Sequence, residues 1–511
     1  MRDRYFYLAF LLVFASGFFL RFYDLEARPM HHDEGVIGWF QMNILKGCLT
    51  PHIDLGDPLG SIINFLYACG SSYRYDPDYH GPFEYITGAW FFAAFGVSDY
   101  TLRAPGCLFN AATLCLLLFL RRPMGDVGVL ASAMILASSP SMTYFSQRAY
   151  QENFFMFFVL LAVVCAVKLA EGRGDKWLYL GVADMALLFA IKESAYIFTA
   201  IGVSFLVLWV LINFSLFNVR GRSRFIKTIR RTASQYEKQI RVSLILFGFI
   251  YAFFYSNMFT DGTGLQKGVT HSLSFWISRS TSWESHFKPF GYYLGLLYAY
   301  EPVALLMALF SLACLKGSFS KWCAWWTSCT IIIYSLISYK TPWLLVSLVL
   351  PMAVLGGCGI ECVSNRLSGW LKAILILAIL PLLAYSTYLA WDLTHVRYAD
   401  RDMGLFYVAG LESYDDLVAR TEGLAANMDG KNTEIKIMVQ DYWPLPWSLR
   451  EYRLIYNASN ASSPIVLSSD GNFSDISKDL RGSYAKEGRY EVWPGHYAYL
   501  YYRKDYKPEK A

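Results

Sequence analysis

Runs of apolar residues long enough to cross a bilayer recur along this chain, and no other feature narrows the fold so sharply. A membrane-spanning helix needs about 17–25 largely apolar residues. The first run is Tyr5–Phe22; others lie near Pro105–Leu120, Val127–Tyr144, Phe154–Ala170, Trp177–Ile191, Ala195–Phe214, Val242–Met258, Tyr292–Leu315, Trp322–Ile337, Trp343–Cys362 and Leu371–Trp391. Together they predict about eleven spans. Trp177–Ile191 is the weakest, being short and carrying Asp184. Composition agrees: 55% of the 511 residues are hydrophobic and 17% charged, where a soluble chain carries roughly a quarter charged. Tyr5–Phe22 has the look of a signal peptide, but no small-residue cleavage site follows it and Arg21 and Arg28 flank its end, so it reads as a helix.

The net charge of +5 does not point to nucleic acid; in a membrane protein the placement of Lys and Arg among the loops is what informs. One alternate set of loops holds Arg121-Arg122, Arg173 and Lys176, a basic loop over 215–241, Lys316 and Lys321, and Arg366 and Lys372. By the positive-inside rule these are cytoplasmic. The other set holds Met30-His31-His32-Asp33-Glu34, Arg148–Glu152, Lys192-Glu193, Gly262–Pro289 and Tyr339-Lys340-Thr341-Pro342. Every polar oddity therefore falls on the extracytoplasmic face, and so does the tail from Asp392.

Two domains are expected: a transmembrane module over 1–391 and an external α/β domain over 392–511. The external loop 24–104 contains Asp33–Leu45, with apolar residues at helical spacing, and Pro82–Phe95, about 14 residues and too short to span; both read as helices lying at the interface. The stretch between them is punctuated by Pro and Gly and reads as loop. The tail offers strands at Glu434–Val439, Pro464–Leu467 and Tyr497–Tyr502. Sequons at Asn457, Asn460 and Asn472 suit an external location. The ten cysteines are scattered with no C-x-x-C pair, which indicates neither a disulfide framework nor a zinc site.

Several residues on the outer face carry possible chemistry. Asp33-Glu34 is first: adjacent acids commonly open a helix, where they favour its dipole. A carboxylate at the membrane–water boundary can equally act as general base toward a hydroxyl. Glu152, near Arg148, is a second acid; as a helix-boundary ion pair it is structural, and as part of a site it is a second catalytic carboxylate. Lys192-Glu193 is either a tight hairpin or a cation placed to hold a lipid phosphate as a point charge. Arg279, His286 and Lys340 are further cations at this depth, each more ordinary as solvated loop. His31, His32 and His80 are weak candidates for a divalent metal, since no H-E-x-x-H spacing is present. No phosphate-binding P-loop, dinucleotide fingerprint or nucleophile elbow occurs. A donor for an enzyme here must be available outside the cell and within the bilayer, and a polyprenyl-phosphate sugar meets both conditions. One base for the acceptor and cations for the phosphate then suffice, unlike the paired carboxylates of glycoside hydrolysis.

An external Asp-Glu directly after the first helix, two interfacial helices and a second acid after the third span resemble the GT-C superfamily, among it the protein O-mannosyltransferases and lipid A aminoarabinose transferases. More narrowly, Met30–Glu34, Tyr79-His80-Gly81-Pro82-Phe83, Lys192-Glu193, Lys340–Trp343 and Tyr442–Trp447 resemble an archaeal GT-C-like family often labelled flippase-activity-associated. The matches cover nearly the whole chain. The resemblance implies that Asp33 is the catalytic base with Glu34 beside it, and that Glu152 stands where such proteins usually carry a second Asp. It also makes Lys192 a candidate for holding the donor phosphate; Glu193, Arg148, His80, Arg279 and Lys340, on the same face, are further candidate donor contacts. The fold class implied is a polytopic α-helical membrane protein of GT-C type. The function implied is inverting transfer of a sugar from a dolichyl-type phosphate, such as dolichyl-phosphate mannose, to a hydroxyl on a glycan, lipid or protein. No Trp-Trp-Asp signature of an oligosaccharyltransferase is present. A flippase or transporter, and a non-catalytic subunit of a glycosylation complex, are the alternatives; transporters favour inverted repeats and broken helices near mid-membrane.

Overall fold

A computed structural model describes residues 3–51, 54, 56–214, 219–281, 286–456, 463–469 and 482–505. The chain divides into two compact units, Met1–Tyr23 with Asn43–Val396, and Asp24–Met42 with Arg397–Ala511.

The first unit is helical. α1 (Asp3–Phe22) precedes α2 (His32–Cys48), within which the division between units falls. Then come α3 (Pro58–Ser71), α4 (Phe83–Phe95), α5 (Asp99–Leu116), α6 (Arg121–Met124), α7 (Asp126–Ala137), α8 (Pro140–Ser146), α9 (Gln151–Ala170) and α10 (Lys176–Ile191). They are followed by α11 (Ser194–Phe214), α12 (Val219–Gln235), α13 (Glu237–Tyr255), α14 (Thr263–Gln266) and α15 (Ser272–Thr281). The unit ends with α16 (Tyr292–Tyr300), α17 (Pro302–Leu312), α18 (Gly317–Leu336), α19 (Leu345–Ser364) and α20 (Trp370–Trp391). Among the described residues, 7 helices are long and apolar enough to cross a membrane, or up to 9 if each of two bent pairs is one span. The expected eleven segments are all helical, but two fall short of a span. α10 has only 16 residues, and α18 is diluted by Ser, Thr and Trp.

The bent pairs are α7 with α8, at 56°, and α16 with α17, at 105°. Proline opens the second half of each, Pro140 and Pro302, since it has no N–H to return to the preceding turn. The Glu301 carboxylate ties one break to the other: its Oε1 accepts from Ser139 Oγ at 2.6 Å, Ser141 N–H at 2.7 Å and Ser141 Oγ at 2.6 Å. α19 is the inner helix, with 89% of its apolar stretch buried, and Ser132 Oγ on α7 donates to its Ala353 carbonyl at 2.9 Å. Buried Arg21 ends α1. Its guanidinium donates to Asn110 Oδ1 at 2.7 Å and the Leu136 carbonyl at 2.8 Å. Asn110 in turn donates to Asn153 Oδ1, and Asn153 Nδ2 donates to the Arg148 carbonyl. This chain of buried amides fixes the turn that leads into Glu152, because an unmade bond in such surroundings costs about 1–3 kcal/mol.

Two features correct the reading of the first external loop. The stretch read as loop contains a helix, α3, opened by Asp57, whose carboxylate accepts from the Gly60 N–H at 3.0 Å, with Pro58 in its first turn. Gly60 and Gly70 inside it masked the helical pattern. Cys48 and Cys69 form a disulfide, with Cα atoms 4.4 Å apart. Their separation of 21 residues carries no local signature; the bond depends on the ends of α2 and α3 meeting in space. The other described cysteines are free.

The second unit is built on a five-stranded mixed sheet: β1 (Glu434–Met438), β2 (Arg453–Tyr456), β3 (Ile465–Ser468), β4 (Tyr484–Trp493) and β5 (His496–Arg503). The order is β2-β1-β3-β5-β4. β1 pairs in parallel with β2 and β3, and β5 pairs antiparallel with β3 and β4. β3 is buried at every position, as a strand covered on both faces requires. Helix α21 (Glu412–Ala426) buries Leu417 and Leu424, and the short α22 (Leu445–Ser448) follows β1. The three expected strands are β1, β3 and β5. β2 and β4 escaped notice because their exposed and half-buried positions blur the alternation. The sequons at Asn457, Asn460 and Asn472 lie outside the described residues.

The segment Asp24–Met42 joins this sheet unit through backbone fit. Met30-His31 lies against Ala409-Gly410, with His31 and Ala409 forming an antiparallel bridge. Gly35 and Gly38 leave no room for a side chain on their face of α2: a Cβ at Gly35 would stand 2.5 Å from Pro444, and one at Gly38 2.5 Å from the Trp447 ring.

Candidate active site

The first turn of α2 separates the roles of two adjacent acids. The His31 backbone N–H donates to Glu34 Oε2 at 3.0 Å, and the Asp33 N–H donates to His31 Nδ1 at 3.0 Å. This is a reciprocal helix cap with histidine in the place usually taken by Ser or Thr. With Nδ1 accepting, the proton of the neutral ring sits on Nε2, which donates to the Tyr407 carbonyl at 2.8 Å. Glu34 is fully buried and engaged in capping. Asp33 points the other way, its side chain 42% exposed, with one oxygen 3.0 Å from His32 Nδ1. The half-buried Tyr407 phenol is pushed up by desolvation and secondarily by the charge of Asp33.

In the first unit, four segments line a cavity of about 230 Å³. His80 enters from the turn before α4, Lys192, Glu193, Ser194 and Tyr196 from the α10–α11 junction, Trp276 from α15, and Tyr334, Tyr339, Thr341 and Trp343 from α18 and the loop after it. His80 holds a positive φ of 63°, a conformation that costs a non-glycine residue free energy and persists only where its surroundings impose it. Here the neighbouring Gly81 N–H donates to the Ile191 carbonyl at 3.1 Å, tying this turn to the segment that carries Lys192.

Two pairs dominate the cavity. Lys192 Nζ forms an ion pair with Glu152 Oε1, the two side chains 7% and 2% exposed. Glu152 Oε2 is buried with no partner among the described residues. His80 Nδ1 lies 2.7 Å from Glu193 Oε2, and Ser272 Oγ donates to Glu193 Oε1 at 3.1 Å. The His80 ring stacks on Trp276, centroids 4.6 Å apart. The arrangement therefore presents one cation and one imidazole, each balanced by a carboxylate, between aromatic walls.

The remaining expected residues fall elsewhere. Buried Lys340 is turned from the cavity, its ammonium donating to the Lys288 and Ile337 carbonyls, and burial pulls its pKa down; its neighbours Tyr339 and Thr341 line the cavity instead. Arg279 is exposed on α15, its guanidinium 5.0 Å from the Phe275 ring, and Arg148 is buried beside the cap of α9. His286 lends its carbonyl to the Lys340 N–H at 3.1 Å. His31 and His32 belong to the second unit and His80 to the first. Among the described residues, no group of three or more His, Cys, Asp or Glu side chains is placed to hold a metal. The aromatic walls, Trp276 above all, were not singled out from the sequence.

Residues 80–220 match the family model described as dolichyl-phosphate-mannose-protein mannosyltransferase. The fold of the chain matches that of ArnT from Cupriavidus metallidurans bound to undecaprenyl phosphate, with a TM-score of 0.63 and 14% identity over 98% of this chain and 99% of that one. It matches ArnT from the same organism in the apo state with a TM-score of 0.63 and 11% identity over the same shares. No curated protein matches this chain in sequence. The sequence likeness is thus confined to residues 80–220, while the likeness to ArnT is one of fold and spans nearly the whole chain.

Proposed function

We propose that this protein is an inverting glycosyltransferase that moves a sugar from a polyprenyl phosphate to an acceptor hydroxyl on the extracytoplasmic face of the membrane. The observation that carries the reading is the division of labour at the start of α2. Glu34 is buried in the cap, while Asp33 is held rigidly on the same turn with its carboxylate half open. Asp33 is the base: it takes the proton of the acceptor hydroxyl as that oxygen bonds to the anomeric carbon. The bond from the anomeric carbon to the phosphate oxygen breaks, and the lipid phosphate leaves with the electron pair. Within the first unit, Lys192 and His80 are the groups suited to a phosphate, with Glu152 and Glu193 as their partners. The ArnT structure with undecaprenyl phosphate supports a polyprenyl-phosphate donor, and the Cys48–Cys69 disulfide supports an oxidising, external side for the first loop.

A second reading, lipid transport, draws on the two broken helix pairs with a carboxylate at one break, a feature of transporters. One experiment separates the two. The purified protein and Asp33→Asn are incubated in nanodiscs with radiolabelled polyprenyl-phosphate sugar and membrane extract. Transfer by the first and not the second is expected. Equal transfer by both removes Asp33 as base, and lipid movement across liposomes without any sugar transfer favours transport.

A further inference from the structure

We infer that the acceptor is itself a carbohydrate, gripped by a rim of aromatic rings on the sheet unit around Asp33. The inference rests on the glycosyltransferase reading and adds the acceptor class to it.

The rim starts and ends on α2. His32, in contact with Asp33, meets the Trp493 ring edge-on with centroids 6.1 Å apart. Trp493, itself buried, backs the rim and neighbours His496 at 5.0 Å. His496 Nδ1 lies 3.4 Å from Asp441 Oδ2, both side chains exposed. The next residues, Tyr442 and Trp443, are half-buried and stand 5.7 Å apart. Trp443 meets half-buried Trp39 at 6.3 Å, which returns the path to α2. Flat apolar faces thus alternate with a carboxylate and imidazoles.

This alternation suits a pyranose. A sugar ring has an apolar face of C–H bonds and a margin of hydroxyls. Indole and phenol rings offer large, rigid, amphipathic contact surfaces, and Asp441, His496 and His32 supply hydrogen-bonding groups at their edges. A peptide acceptor would instead call for unpaired backbone along a sheet edge, and the rim groups are side chains. The position in the sheet points the same way. The Asp441–Trp447 stretch leaves the carboxyl end of β1, and the strand order reverses there, with β2 on one side of β1 and β3 on the other. Open sheets with parallel strands bind ligands outside those carboxyl ends, at such a reversal. At the same place the Gln440 N–H donates to Ser469 Oγ at 3.0 Å, joining the ends of β1 and β3. The rim is also held against α2, because Pro444 and Trp447 seat on Gly35 and Gly38.

The test is calorimetric titration of the full chain in lipid nanodiscs, free of sugar detergents, with mannotriose, maltotriose and chitotriose. At least one trisaccharide is expected to bind saturably. Trp443→Ala weakens that binding roughly tenfold, the loss of one ring contact, and Trp443→Phe retains most of it. Binding by none of the three, or equal binding by the wild type, Trp443→Ala and Trp39→Ala, overturns the inference. So does transfer to a Ser/Thr peptide or a lipid alone, with no trisaccharide accepted. Consumption of the labelled donor is followed in parallel. Ring-dependent trisaccharide binding with no donor consumed would sink glycosyl transfer and leave carbohydrate binding standing. Donor turnover with no trisaccharide bound does the reverse.

Discussion

The first turn of α2 and the Lys192 cavity both hold carboxylates beside nitrogen bases, yet they are built in opposite ways. Around Lys192 the charges are enclosed: Glu152 and Lys192 are almost without solvent contact and spend their charge on each other. At the start of α2 the enclosed acid, Glu34, caps the backbone through the His31 N–H, and its neighbour Asp33 keeps a half-open carboxylate. Burial decides which group is structural. An enclosed ion pair cannot lose one member without stranding the other in a low dielectric, whereas a half-open carboxylate on a rigid turn can lose its charge with little effect on the fold.

That contrast breaks most visibly at Asp33. Asp33→Asn is expected to lower the transfer rate by about 10²–10⁴, the usual worth of a general base, with an unchanged thermal unfolding curve. A destabilised Asp33→Asn protein would mean that this carboxylate is structural too. Lys192→Ala should show the reverse order of effects, losing about 3–5 kcal/mol of stability by leaving Glu152 buried and uncompensated. The pair replacement Lys192→Met with Glu152→Gln should recover most of the stability while sugar transfer stays lost; denaturant titration of the purified variants reads both. Gly38→Ala, whose new methyl group meets the Trp447 ring, is expected to cost about 1–3 kcal/mol by overpacking and to slow transfer by displacing the turn that carries Asp33. Gly38→Ala protein with wild-type stability and rate would show that this seat does not position the base.

The smallest effect concerns a surface pair of the sheet unit. The Arg401 guanidinium, bonded to Glu491 at 3.1 Å through Nη1, holds that carboxyl below its ordinary range. A depressed carboxylate contributes stability above its unfolded pKa and loses it as pH falls through the folded value. Arg401→Ala should therefore be slightly less stable than wild type at neutral pH, with the gap closing below about pH 4. A gap that widens on acidification would point to a contact other than this charge pair.

Much of the helical architecture was legible because membrane-length apolar runs need no partner to be recognised. The first unit's site was half legible. Lys192, Glu152, His80 and Glu193 stood out as charges beside apolar runs, and the structure brings them together. Lys340 stood out for the same reason and turned away, because neighbours in an extended segment point to opposite sides and Tyr339 and Thr341 took the cavity face. Trp276 was illegible, being one aromatic residue among many in an aromatic-rich chain. The role of Glu34 was hidden by its cap, since histidine is not a residue that announces a capping box. The Cys48–Cys69 bond and the attachment of Asp24–Met42 to the tail depend on which distant segments meet, and no local pattern encodes that.

This attachment also sets a timetable. His31 depends on a carbonyl 376 positions further along the chain, and Gly38 on Trp447. During synthesis, at roughly 5–20 residues per second, domains form from the N-terminus onward. The segment carrying Asp33 leaves the ribosome several hundred residues before the partners it needs, and so is late to find its place. Through most of translation the protein exists without its proposed base in position, and any chain cut short before Trp447 never acquires it.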